Sequence, residues 1–242
     1  MALPLFHTDK ALSEPGIRIE LPETSSRHIV QVLRMKAGDR MLLTDGNGFL
    51  AEAEIFADNR KRCGVELIEV RSVPPCSPEI TLAVSLLKNT ARFEWLLEKA
   101  AELGIQQIIP LQCARSEKAA FKPDRCNSIL VSAMLQSRQS HQTRLAAPMP
   151  LRQLLAAPDF TEKFLAHCLN ERKRTNLASL IWPEPSAKRH LLMLIGPEGD
   201  FTPEEIALAA EHKCVEVSLG ENRLRTETAA ITAAVLLRQL SA

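Results

Sequence analysis

The sequence predicts an α/β protein in two parts: a small β-barrel over residues 1–72 and a mostly parallel β/α domain over residues 79–242, joined by a linker at residues 73–78. Three observations predict it. Short alternating runs separated by a glycine-rich turn fill the first part. The stretch "VPPCSP" places three prolines in six residues, which suits neither a strand centre nor a helix, and so marks a boundary. Beyond it, apolar runs of strand length alternate with amphipathic runs of helix length, the rhythm of a parallel sheet covered on both faces.

In the first part, "RMLLTDGNGFLAEAEIF" reads as two strands around the turn Asp45-Gly46-Asn47-Gly48, and "CGVELIEVRSV" as a third. Before them, "SSRHIVQVLRMKAGD" carries Ile29, Val32 and Leu33 at helical spacing, which predicts a short amphipathic helix with those residues on its inner face. In the second part, "EITLAVSLL" is a buried strand, "ARFEWLLEKAAELG" a helix stopped by Gly104, and "IQQIIPLQC" the next strand. A long helix follows across "PDRCNSILVSAMLQSRQS", with Pro123 near its start, and "KFLAHCL" and "HLLMLIG" are two further strands.

Composition narrows the function. Hydrophobic residues at 45% and charged residues at 24% are globular averages, which argues against disorder. No apolar run approaches the roughly 20 residues needed to span a bilayer. The opening "MALPLFHTDKALSEPG" lacks a basic region followed by a long apolar stretch, so a cytoplasmic protein without membrane association is expected. Six scattered cysteines form no pair at metal spacing and read as reduced, mostly buried thiols; no metal is expected. The net charge is only +1, yet residues 110–145 hold six cations (Arg115, Lys118, Lys122, Arg125, Arg138 and Arg144) against Glu117 and Asp124. That stretch could meet phosphates or be a solvated surface.

Chemistry concentrates near the end. In "LIGPEGDFTPEE", Thr202 as N-cap, Pro203 at the first helical position and Glu205 two residues on form a capping box. Glu204 and Glu205 are thereby explained by a helix N-terminus. Glu198 and Asp200 lie before the cap and are not. Gly196 and Gly199 would allow a ligand to approach the backbone, or simply a sharp strand-to-helix turn. A second strand-loop-helix unit, "VEVSLGENRLRTETAAITAAVLLRQL", has a strand ending at Gly220, a loop with Asn222, Arg223 and Arg225, and Thr226 as the cap of a helix starting at Glu227. That helix is apolar nearly all round, which predicts deep burial or a seam with a second copy of the chain.

Together, "LLMLIGPEGDFTPEEI" and "VSLGENRLRTETAAITA" closely resemble the carboxyl-terminal signature of the SPOUT-type methyltransferases that modify N3 of a uridine in 16S ribosomal RNA. "RHIVQVLRMKAGD" and the "DGNG" turn look like that family's amino-terminal PUA-like barrel. "LLKNTARFEWLLEKAAELGIQQIIPL" looks like its first β/α unit, and "LQSRQS" falls where it has a Gln-Ser motif. The resemblance implies a Rossmann-like sheet whose C-terminal strands form a trefoil knot, S-adenosylmethionine as cofactor, a homodimer, and 16S rRNA, in the small ribosomal subunit, as partner.

Carried over, the cofactor loops are Leu165, Ala166, His167 and Cys168; Ile195, Gly196, Pro197, Glu198 and Gly199; and Leu219, Gly220, Arg223, Leu224, Arg225, Thr226 and Thr228. Arg225 would stabilise the uracil imidate as it forms, or brace the loop against Glu227 or Glu198; Glu227 is a candidate base. Arg27 and Arg34 of the barrel, together with Lys88, Arg92, Arg115, Gln136, Ser137 and Arg138, would contact RNA. The chain departs from the family at Asp200, where a second glycine is expected, and at Leu135, where an acid is. Two rival readings stand: an RNA-binding protein without activity, and methylation of another RNA acceptor such as a ribose 2′-hydroxyl.

Overall fold

A computed structural model describes residues 3–117, 119–169, 172–180 and 189–239; Lys118 of the basic stretch and Leu240 of the last helix lie outside the described residues. The chain packs as two units. One takes in the residues up to Pro75 together with Met134–Gln142, the other Cys76–Ala133 and the residues from Thr143 on.

In the first unit, β1 (Leu5–His7), β2 (Arg18–Glu20), β3 (Arg40–Thr44), β4 (Phe49–Ala57) and β5 (Gly64–Ser72) form one sheet in the order β1-β3-β4-β5-β2. β1 runs parallel to β3 and the other pairs are antiparallel. Register shifts at Glu52/Ala53 and Ile55/Ala57 bend β4 and curve the sheet into a half-barrel around Phe6, Leu21, Met41, Leu43, Ile55 and Leu67. The turn after β3 is closed by Asp45, whose carboxylate accepts from the Asn47 and Phe49 amides at 2.8 and 3.1 Å. β1 and β2 span three residues each, too few for an alternation to show in the sequence.

The expected amphipathic helix takes another form. α1 (Glu23–Arg27) runs into a π-helical turn over His28–Val32, closed by Leu33 N to His28 O at 2.9 Å. The wider turn advances each residue through a smaller angle, so only Ile29 of the expected face is buried. Val32 is 68% exposed and Leu33 43%, which corrects their assignment to the inner face.

The second unit is a parallel sheet of β6 (Glu79–Ser85), β7 (Gln107–Gln112), β8 (Arg144–Leu145), β9 (Met149–Pro150), β10 (Glu162–Ala166), β11 (Thr175–Asn176), β12 (His190–Ile195) and β13 (Val215–Ser218). The order is β11-β13-β10-β12-β6-β7-β8, with β9 also on β7. Both faces are covered, and the strand period of two sorts the side chains between them. Ile80, Leu82, Val84, Leu191, Met193 and Ile195 pack with α2 (Thr90–Glu102) and α6 (Thr226–Gln239). Ala83, Leu192 and Leu194 face α4 (Leu151–Leu155) and α5 (Pro203–Glu211). α2 starts at an Asn89 cap that accepts from Ala91 N and ends at Gly104 in the left-handed region, φ 69°. α3 (Pro123–Gln136) begins in this unit.

β13 lies beyond β10, yet α6, which follows it, packs on α2, β6 and β12 and on the short turn Leu177–Ser179. Residues 219–225 therefore cross back over the carboxyl ends of β10 and β12, an arrangement that fits a threaded C-terminus. On α6 the buried residues Ala230, Ala233, Ala234 and Leu237 form the inner face, while Ile231 and Val235 are half-buried.

Candidate active site

The carboxyl ends of β10, β12 and β13 open onto a cavity of about 360 Å³, a size that suits a small organic ligand. Its position is the one that parallel α/β sheets reserve for binding, because helix N-termini and free strand-end amides converge there.

The first wall is the loop after β12, where Ile195, Gly196, Pro197 and Glu198 line the cavity. Gly196 is required by packing: a Cβ there would lie 3.0 Å from the ring of the fully buried Phe201. Asp200 holds the loop to the neighbouring strand end. Its carboxylate accepts from Cys168 N and Phe201 N, both at 2.8 Å, with its own backbone at φ 61°. Arg115 donates to the carbonyls of Gly199 (2.8 Å) and Phe201 (3.4 Å). The capping box forms as expected, Glu205 N to Thr202 Oγ1 and Thr202 N to Glu205 Oε2, and the second oxygen of Glu205 accepts from Ala114 N at 2.8 Å.

The second wall is the loop after β13. Leu219, Gly220, Arg223, Leu224 and Arg225 line the cavity, joined by Asn222. Gly220 sits at φ 128° with open space where a side chain would be, so backbone conformation, not crowding, selects glycine. Thr226 does not cap its helix as expected: α6 includes it, and its hydroxyl donates to Gly196 O at 3.1 Å, tying the two loops together.

The third wall is the end of β10, with Ala166, His167 and Cys168. His167 is buried; its Nδ1 accepts from Leu169 N, so the neutral ring carries its proton on Nε2, 2.9 Å from Glu216 Oε2. Arg172 grips Glu216 with two bonds of 2.8 and 2.5 Å. That guanidinium holds the Glu216 carboxyl below the usual range against the effect of burial, and the His167 hydrogen bond adds to it. Arg174, which also lines the cavity, donates to His167 O at 2.6 Å.

Three residues expected at the cofactor do not line this cavity: Leu165 is buried in the core, Gly199 packs on Arg115, and Thr228 is exposed. Arg225 lines it, and the alternative pairing with Glu227 is not formed, because Glu227 faces Arg92, Oε1 to Nε 3.7 Å. Glu227 is 8% exposed and its Oε2 has no hydrogen-bond partner among the described residues.

Of the other expected RNA contacts, Lys88 pairs with Glu117 at 3.1 Å, and Arg115 is engaged by the first loop. Arg27, Arg34, Gln136, Ser137 and Arg138 belong to the first unit. There Arg27 pairs with Glu23, Arg34 is exposed, and Gln136 to Arg138 close the end of α3, with Arg138 at φ 58° and its guanidinium on Leu3 O.

Asp200, Asn222, Arg174 and Glu216 were not among the expected site residues. Asp200 offered one signal, an acid standing where a second glycine was expected; the contacts of Arg174 and Glu216 are tertiary and offered none. All six cysteines are free: Cys63, Cys126 and Cys214 buried, Cys113 half-buried, Cys76 and Cys168 exposed. Burial raises the Cys113 thiol to about 12. Among the described residues no cluster of His, Cys, Asp and Glu could hold a metal ion, and no helix is long and apolar enough to cross a membrane.

A parallel α/β domain with a strand-end cavity, joined to a half-barrel, defines a class. Residues 75–238 match the family model for an RNA methyltransferase domain and residues 21–68 that for an RNA methyltransferase PUA domain. The chain belongs to this RNA methyltransferase family. Within it, the chain is 30% identical over 214 residues to the Ribosomal RNA small subunit methyltransferase E of Bacillus subtilis (strain 168), covering 85% of this chain and 84% of that protein. A solved structure of a probable rRNA-methyltransferase from Porphyromonas gingivalis superposes with a TM-score of 0.88 at 33% identity, over 99% of this chain and 98% of that one. A Ribosomal RNA small subunit methyltransferase E from Neisseria gonorrhoeae, crystallised bound to S-adenosyl methionine, superposes with a TM-score of 0.83 at 26% identity, over 98% of each chain.

Proposed function

We propose that the protein transfers the methyl group of S-adenosylmethionine to N3 of a uridine in 16S ribosomal RNA, working in the cytoplasm as a homodimer on the small ribosomal subunit. The observation that carries this reading is the cavity at the ends of β10, β12 and β13, walled largely by loop backbone and with Arg225 on its lining. The residues present fit the cofactor: loop backbone between Ile195 and Glu198 and between Leu219 and Leu224 lines the cavity and offers amides and carbonyls for a purine.

When bound, the cofactor supplies an electrophilic methyl on a sulfonium. The protein must then orient the uracil and ease the loss of its imide proton. Arg225 is the catalytic residue: its guanidinium stabilises the negative charge that spreads onto the uracil carbonyls. The loops after β12 and β13 would hold the cofactor, whose methyl group would replace the proton on N3, giving N3-methyluridine, S-adenosylhomocysteine and a released proton. Glu227 lies one residue behind the lining Thr226 and faces Arg92, so its part is to position Arg92 rather than to take the proton. Arg27, Arg34 and Lys88, all exposed, contact RNA phosphates, which orients the substrate without reading its sequence. Val235, half-buried on α6 away from the core cluster, lies on the dimer seam.

The test is transfer of labelled methyl from S-adenosylmethionine to unmodified small subunits, followed by nucleoside digestion. Label in N3-methyluridine supports the proposal. Label in another nucleoside changes the acceptor, and cofactor binding without transfer leaves the binding-only reading.

A further inference from the structure

A second cavity, of about 210 Å³, opens on the same carboxyl edge of the sheet, next to β12 at the end of β6. Its floor is apolar, built by Leu87, Phe93 and the half-buried Phe121. Its rim is charged. Lys122 and Arg125 are exposed there, and Glu94 takes two of Arg125's three nitrogens, Nε at 2.5 Å and NH2 at 2.7 Å. Among the described residues the third nitrogen and the lysine ammonium have no hydrogen-bond partner, which leaves them open to an outside acceptor. Both cations belong to the basic stretch over residues 110–145, from which Arg115 braces the cofactor loop while Lys122 and Arg125 do not line that cavity.

Resting on the function proposed above, we infer that this cavity holds a nucleotide adjacent to the methylated residue in the RNA, its base on Phe121 and its phosphate between Lys122 and Arg125. The ligand class follows from the lining, since an aromatic face beneath cations is what a single-stranded nucleotide requires. The base held here is not the one methylated. The two cavities share no lining residue, and the Arg92–Glu227 pair joins their walls: Arg92 lies between the lining residues Thr90 and Phe93, and Glu227 follows the lining Thr226. The nucleotide to be methylated thus meets the cofactor cavity while its neighbour occupies the cavity at the end of β6. Enzymes that draw a base out of its stack use flanking nucleotides in this way to select sequence context.

The experiment compares wild type, Phe121→Ala and Lys122→Glu in steady-state methyl transfer to unmodified small subunits, with cofactor affinity measured by calorimetry. Each variant is expected to raise the KM for subunits by about ten-fold, in line with loss of one base stack or phosphate contact, while kcat and cofactor affinity stay at wild-type values. Lys122 is exposed, so its variant folds whatever happens at Phe121. Wild-type KM in both variants, with the wild type active, overturns the inference. If the wild type itself transfers nothing to subunits, the proposed function is what fails, and anisotropy with fluorescein-labelled oligouridine then judges the cavity. Weaker binding by Phe121→Ala supports the inference; equal binding overturns it.

Discussion

The two loops that wall the cofactor cavity do similar work with opposite construction. The loop after β12 is held from every side: Gly196 against Phe201, Asp200 on two amides, Arg115 on two carbonyls, Glu205 on its own cap and on Ala114. The loop after β13 is largely exposed and is tied down at its end, through Thr226 to Gly196 O and Ala229 N to Arg225 O. The difference teaches that one wall is preformed, whereas the other keeps the freedom to settle on its ligand and carries Arg225, the residue proposed to act on the uracil.

The largest effect should come from the looser wall and leave stability alone. Arg225→Ala is expected to lower kcat by about 100-fold or more, the usual consequence of losing one donor to a developing oxyanion, with cofactor affinity retained in calorimetry. A kcat within a few-fold of wild type would remove Arg225 from the chemistry.

Next come the two glycines, which separate crowding from conformation. Gly196→Ala forces a methyl against the Phe201 ring and should cost about 1–3 kcal/mol in urea denaturation. Gly220→Ala meets nothing and should cost about 1 kcal/mol, from its backbone conformation alone. Equal costs would mean that the two walls are no different in rigidity.

Asp200→Gly restores the residue expected in the family. It removes two charge-assisted bonds worth about 1.5–3 kcal/mol each and relieves a left-handed backbone worth about 1 kcal/mol, so a net loss of stability is expected. A more stable variant would show that the clamp on Cys168 contributes little.

The smallest effect lies behind the third wall. The folded-state pKa of Glu216 is lowered, so its pairing stabilises the fold above the ordinary glutamate range and is lost as pH falls through the lower, folded value. Glu216→Gln should therefore be less stable than wild type by under about 1 kcal/mol near neutrality, and the gap should close in acid. A gap independent of pH would assign the loss to packing.

Much of the second unit was legible because its signals are local. Apolar runs of strand length gave β6, β7 and β12, helix-length runs gave α2 and α6, and the Thr202–Glu205 cap could be read from four residues. The half-barrel was legible where strands are long and not at β1 and β2. The π-helical turn over His28–Val32 defeated the helical spacing, because the hydrogen-bonding pattern that displaced Val32 and Leu33 leaves no compositional mark. Glu205 shows the boundary within one side chain: its cap follows from sequence, its bond to Ala114, 91 residues away, does not.

By itself the sequence determined the element types, the backbone-lined loops and, through two motifs, the family, because each depends on residues within a turn or two of one another. The tertiary structure decided which groups meet: Asp200 with Cys168, Arg115 with Gly199, Arg92 with Glu227, and Thr226 with Gly196. Those contacts arise when the chain crosses back over the strand ends to place α6 on β6 and β12. No local pattern of side chains encodes that crossing.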